Sequence, residues 1–136
     1  MYQKILLASD GSDHAMRATE HAIKFVKASA NSMLELVYVL DDDKKRGKKR
    51  FKGIVEDKAK EKIKLTEQKL KHSGVSYKLT ILKGDPKHEI VEYANSHHID
   101  MCIVGSRGLN KLQEMVLGSV SHKVAKHIHC PLIIVK

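Results

Sequence analysis

Apolar and polar positions along this chain follow two rhythms in turn. Short runs in which nearly every residue is apolar, KILLAS (4–9), MLELVYVL (33–40), DMCIVG (100–105) and the closing PLIIVK (131–136), have the length and composition of buried strands. Between them, apolar residues recur every three or four positions, the spacing of one helix face. Ala15, Ala18, Ala22 and then Phe25 or Val26 mark such a face in a helix predicted from about residue 13 to 30. Val55, Ala59, Ile63, Thr66 and Leu70 mark a longer helix whose other face is almost all Lys and Glu. It stops at His72-Ser73-Gly74, where Gly74 suits a left-handed cap. VSYKLTIL (75–82) alternates as a more exposed strand does. Asp85-Pro86 reads as a helix start, with Asp capping and Pro in the first turn, and Ile90, Val91 and Ala94 point inward from it. A last helix is expected from about Ser119 to His127, burying Val120, Val124 and Ile128.

Strands that alternate with helices and are apolar on both faces predict an α/β domain: a doubly wound parallel sheet of five strands, covered on both sides. Right-handed crossovers leave few topologies. The order 3-2-1-4-5 places the most apolar strands, the first and fourth, at the centre and the more polar third at an edge. No repeat, linker or composition break divides the chain, so residues 1–136 are expected to form one domain. In such sheets ligands bind beyond the carboxyl ends of the strands, where neighbouring connections part to opposite faces. That crevice falls between the first and fourth strands. Its borders are SDGS (9–12) and the segment from Gly105 to Ser119.

This second border, GSRGLNKLQEMVLGS, leads into a helix, and a glycine-rich approach to a helix N-terminus presents backbone N–H groups to an anion. Gly118 permits close approach of a phosphate, while Ser119 offers a hydroxyl and the N-cap. Neither the G-x-x-x-x-G-K-[ST] loop nor G-x-G-x-x-G is present. Gly105-x-x-Gly108, nine residues, then Gly118-Ser119 instead resembles the G-2x-G-9x-G-[S/T] signature of nucleotide-binding universal stress proteins. LLASDGS, VYVLDD, GDP and CPLIIVK extend that resemblance along the whole chain.

The resemblance implies a flavodoxin-like or Rossmann-like fold, commonly a homodimer, in a family whose members divide into those that bind ATP and those that do not. This chain keeps the ATP-type signature without a gap. Carried over position by position, Asp10 is the acidic residue beside the nucleotide and its Mg²⁺, and Ser9 lines the same edge. Val39 matches the position whose backbone reads adenine. Gly105, Ser106, Arg107, Gly108, Gly118, Ser119, Val120 and Ser121 make up the ribose and phosphate segment. Arg107 has the fork for a charge-assisted phosphate contact, although the motif leaves its position variable. The expected ligand is ATP, or ADP or AMP. The expected role is a nucleotide-dependent regulator of the stress response rather than an enzyme. The alternatives are a dimeric interaction protein of the same fold that uses no nucleotide, and a slow ATPase.

Composition adjusts this picture in a few places. The formal net charge of +9 is concentrated in KKRGKKRFK (44–52), directly after DDD (41–43). Such a block is usually a solvated loop. With no Trp and 4% aromatic residues, stacking platforms for nucleic acid are poorly supplied, so nucleic acid is not an expected partner. No run reaches the length of a membrane span and no export signal opens the chain, while both cysteines, Cys102 and Cys130, sit in or beside apolar runs. A cytoplasmic protein is therefore expected. His122, His127, His129 and Cys130 lack metal-site spacing, and no protein-held metal is expected. The apolar LIIV of the fifth strand would be an exposed edge unless a second copy covered it, which makes it the expected dimer contact.

Overall fold

The computed structural model of the protein describes residues 2–11, 13–40, 52–105 and 119–136, without the side chains of residues 13, 52–59 and 119–121. The basic run is thus outside the described residues except for the backbone of Lys52, and so are the side chains of Val55, Ala59 and Val120. Among the described residues five strands and four helices alternate: β1 (Lys4–Ala8), α1 (Asp13–Ala28), β2 (Met33–Leu40), α2 (Lys52–His72), β3 (Tyr77–Lys83), α3 (Pro86–Ser96), β4 (Met101–Gly105), α4 (Ser119–His127) and β5 (Leu132–Val135). The strands form one sheet in the order β3-β2-β1-β4-β5, and every pairing is parallel. The expected order holds.

Strand alternation divides the core between two helix layers. Ile5 and Leu7 of β1 pack with Ala18 and Ala22 of α1 and with Ile63 and Leu70 of α2. Leu6 and Ala8 face the other way, to Ile90 and Ala94 of α3 and Val124 of α4. α1 and α2 therefore cover one face, and α3 and α4 the other. The alanines of α1 let its axis approach β1 and β4 closely, and this is why the face predicted from Ala15, Ala18 and Ala22 is fully buried.

Local chemistry sets the ends of the elements. Asp85 caps α3, its side chain accepting the Lys87 N–H at 3.0 Å with Pro86 in the first turn. β3 begins two residues later than VSYKLTIL suggests, because α2 retains Val75 in its closing turn. The Val75 N–H donates to the Leu70 carbonyl at 3.2 Å, and the N–H of Gly74, at φ +77°, donates to Lys71 at 3.1 Å. β4 starts at Met101 rather than Asp100, because the Asp100 carboxylate accepts the backbone N–H groups of Gln3 (3.0 Å) and Lys4 (2.9 Å). It thereby ties the start of β4 to the start of β1.

The Lys4 amide above all, with that of Gln3, holds the Asp100 carboxyl below the usual carboxylate range, against the opposing effect of desolvation. A depressed carboxyl stabilises the fold above its unfolded value of about 3.9, and this contribution is lost as pH falls through the lower folded value. Asp100→Asn is therefore expected to be less stable than wild type in urea at neutral pH. The deficit should shrink as the pH is taken from about 4 toward 2. A deficit that does not change with pH would show that the carboxylate charge plays no part.

Candidate functional site

β1 and β4 are neighbours, with Ala8 opposite Val104. From β1 the chain passes to α1 on one face of the sheet, while the helix after β4 lies on the other face. The connections part here, and the carboxyl ends of β1, β2 and β4 border the opening. Ser9 is buried at the start of the loop that leaves β1. Its N–H donates to the Val37 carbonyl at 3.0 Å and its Oγ accepts the Gly11 N–H at 3.2 Å, a serine turn that folds the loop back on itself. Asp10 sits half-buried at the bend. Gly11 has φ +79°, and a Cβ there would lie 2.6 Å from the Lys62 carbonyl oxygen of α2. Backbone conformation and lack of space together require glycine at this position.

Val39 acquires its importance from the sheet ladder. In a parallel strand, alternate residues direct both N–H and C=O to the same side. The Val37 carbonyl takes the Ser9 N–H and the Leu40 carbonyl takes the Gly84 N–H at 2.9 Å, so odd-numbered residues of β2 face β1 and even-numbered ones face β3. Val39 thus directs its N–H and C=O toward β1. The last pairing of β1 is Ala8 with Val37, so these two groups face the opening beyond the end of that strand. A donor and an acceptor side by side in a strand plane suit a planar base that carries the complementary pair on one edge. The Val39 side chain is half-buried against the α3 layer.

Gly105 ends β4, and its requirement for glycine has a packing cause. A Cβ there would lie 2.8 Å from the carbonyl carbon and oxygen of His14 and 3.1 Å from the Ala15 nitrogen. The first turn of α1 rests directly on the end of β4. Arg17, one turn further on, donates from Nε to the Lys136 backbone oxygen at 2.8 Å. A second guanidinium contact is to His14 Nδ1 at 2.9 Å, which accepts because arginine can only donate. These contacts hold α1 between the border of the opening and the end of β5.

Ser9, Asp10, Val39 and Gly105 are thus brought to one end of the sheet. Ser106, Arg107, Gly108 and Gly118 lie outside the described residues. Ser119, Val120 and Ser121 form the first turn of α4 and are described by their backbone. Sequence reasoning missed His14 and Lys62, whose backbones press on Gly105 and Gly11. Periodicity carries no sign of such contacts. The signal lay in the glycines themselves, one of them ending a strand without the positive φ that Gly11 has.

The universal stress protein family model matches residues 1–136. This chain belongs to the universal stress protein family. Universal stress protein YxiE of Bacillus subtilis is 33% identical over 156 aligned positions that span 100% of both chains. The solved structure of MJ0577, a universal stress protein of Methanocaldococcus jannaschii, matches with a TM-score of 0.85 at 32% identity, covering 100% of this chain and 96% of that one. The fold is shared, at 22% identity and a TM-score of 0.76, by the universal stress protein of Archaeoglobus fulgidus in complex with dAMP, over 99% and 98% of the two chains.

In this universal stress protein Cys102 is fully buried and Cys130 half-buried, and burial pushes both thiols up from their ordinary range, as expected of unreactive cysteines. Among the described residues no helix is long and apolar enough to cross a membrane, and no cluster of three or more His, Cys, Asp or Glu could hold a metal ion.

Proposed function

We propose that this universal stress protein binds ATP with Mg²⁺ at the opening between β1 and β4 and acts as a non-enzymatic regulator in the cytoplasm, paired as a homodimer through β5. The observation that carries the reading is the Val39 amide pair facing the opening, beside Asp10 and the glycine that ends β4. The dAMP complex of the Archaeoglobus fulgidus protein of the same fold supports an adenine nucleotide as ligand. Val39 would take the base, the segment Gly105–Ser121 the ribose and phosphates, and Asp10 would stand beside the metal-bound phosphates. ADP and AMP share the base and ribose contacts. The G-2x-G-9x-G-[S/T] segment, leading into the N-terminus of α4, is what favours a longer phosphate chain.

The bound nucleotide would supply negative charge and a rigid base at the carboxyl ends of β1, β2 and β4. Phosphoryl transfer would in addition need a residue that positions the attacking group. The residues carried over from the family bind and include no such base. In β5, half-buried Leu132, Ile133 and Ile134 form an edge with no charge among them, which supports pairing with a second copy.

Titration of the purified protein with Mg–ATP in a calorimeter is expected to show stoichiometric binding, and mass spectrometry of a denatured sample is expected to show released adenine nucleotide. Gly118→Val should abolish the heat while leaving the circular dichroism spectrum unchanged, because its side chain would occupy the space of a phosphate. Absence of both heat and released nucleotide in wild type would overturn the reading.

A further inference from the structure

The sheet has two edges, and they differ in character. β3 lies outermost beside β2, so no described strand pairs with its far side. The Gly84 N–H donates to the Leu40 carbonyl, which assigns even-numbered residues of this stretch to β2 and turns the backbone N–H and C=O of Tyr77, Leu79 and Ile81 outward. The apolar side chains of Leu79, Ile81 and Leu82 between these positions are only partly buried. Lys78 and Lys83 stand at the two ends of the strand, the usual guards against uncontrolled edge pairing. The four residues between them carry no charge.

A second feature runs alongside. The Tyr77 hydroxyl donates to Glu67 Oε1 at 2.7 Å, which fixes the side of α2 that overlooks β3. Lys60, Lys64 and Lys71, at seven and three residues before Glu67 and four after it, share that stripe of the helix, and all three are exposed. Glu67 itself is engaged by Tyr77. Three lysines therefore share the side of α2 that Tyr77 ties to β3, beside a strand edge with which no described strand pairs. On the other side, α3 carries Glu89 and Glu92, the latter paired with His88 at 2.7 Å.

We propose that the outer edge of β3 and the lysine row of α2 form a docking groove for an extended acidic segment of a partner protein, taken up as an added strand. Main-chain pairing to Tyr77, Leu79 and Ile81 gives affinity, and the alternation of side chains gives selectivity. Residues at every second position of the incoming segment face α2 and must be acidic. Those between them face the α3 side, where Leu82 of β3 lies, and need not be. This surface is separate from the opening between β1 and β4, and its use does not depend on nucleotide.

A fluorescein-labelled peptide of alternating Glu and Val, about six residues long to match a typical strand, tests the proposal against two controls. One is the Lys–Val counterpart. The other is the Glu–Val peptide N-methylated on alternate amides. Fluorescence anisotropy at about 0.1 M salt is expected to show binding of the Glu–Val peptide at least about tenfold tighter than of the Lys–Val peptide, three partly exposed ion pairs sufficing for that factor. The N-methylated peptide should not bind, and bound Glu–Val peptide should protect the amides of Tyr77, Leu79 and Ile81 from hydrogen exchange. The triple variant Lys60→Glu, Lys64→Glu, Lys71→Glu should invert the preference with an unchanged circular dichroism spectrum. Equal binding of the N-methylated peptide would reveal a charged surface without strand addition and overturn the proposal. So would complete displacement by short polyphosphate without amide protection, self-association through β3, or no binding at all.

Discussion

Gly105→Val is expected to cost the fold about 3 kcal/mol, measured by urea denaturation, the range of a severe core overpacking. The first carbon added at this position meets the His14 carbonyl group at 2.8 Å and the Ala15 nitrogen at 3.1 Å, and all of these atoms are backbone. No rotamer change relieves the contact. Either the first turn of α1 lifts from the end of β4, or β4 shifts within the centre of the sheet, where Ile103 and Cys102 are fully buried on opposite faces. Val also adds branches that Ala would not, so Gly105→Ala should lie between the two proteins. Gly74 provides the contrast. Its φ is +77° but no atom lies within 4 Å of a Cβ built there, so Gly74→Ala should cost only the left-handed penalty of about 1 kcal/mol. A Gly105→Val protein as stable as wild type would mean that α1 is not seated as described.

This expectation separates two glycines that the sequence presents as equals. Gly105 and Gly118 belong to one spacing pattern, and that pattern points to a ligand. The structure gives Gly105 a packing duty to α1 in addition. Gly105→Val should therefore weaken the fold and nucleotide binding together. Gly118→Val should lose binding alone. Spacing cannot separate these two causes, because both demand the absence of a side chain.

The sheet order was legible because each strand carries its own burial in its composition. Ile5, Leu6, Leu7 and Ala8 are all buried, as a central strand between two helix layers must be, while Lys78 and Lys83 mark β3 as an edge. The caps at Asp85 and Gly74 were legible because their conformations select particular residues. Long-range contacts made by the backbone were not. Nothing about Lys62 or His14 as residue types records that their main chains lie on Gly11 and Gly105. The role of Val39 was legible only through family resemblance, since its backbone direction depends on where β1 stops. The same limit applies to Glu35, a lone acid inside MLELVYVL whose partner lies 58 residues away.

That partner is Tyr93, and Tyr93→Phe is expected to destabilise the protein by about 2 kcal/mol, the scale of a hydrogen bond to a buried charged group. Glu35 lies on the α3 side of β2 with 7% of its surface exposed, and Tyr93, 6% exposed, donates its hydroxyl to Glu35 Oε1 at 2.6 Å. Phe preserves the ring, and with it the stacking on His97 at 3.9 Å between centroids, while removing the donor. The loss therefore reports on the bonds of the hydroxyl, to Glu35 at 2.6 Å and to Thr80 at 3.5 Å, rather than on packing. Burial first, then the bond to Glu35, raises the Tyr93 phenol above its ordinary value. A raised phenol stabilises the fold fully below about pH 10, and that contribution is lost as pH rises through the folded value. The gap between wild type and Tyr93→Phe should accordingly narrow in strongly alkaline urea titrations. Glu35→Leu in the Tyr93→Phe background should restore part of the loss, because an apolar pair leaves no buried charge without its donor. Should Tyr93→Phe match wild type within about 0.5 kcal/mol, Glu35 must draw its donor from elsewhere, and the neighbour to examine is Lys78, opposite it in the β2–β3 register.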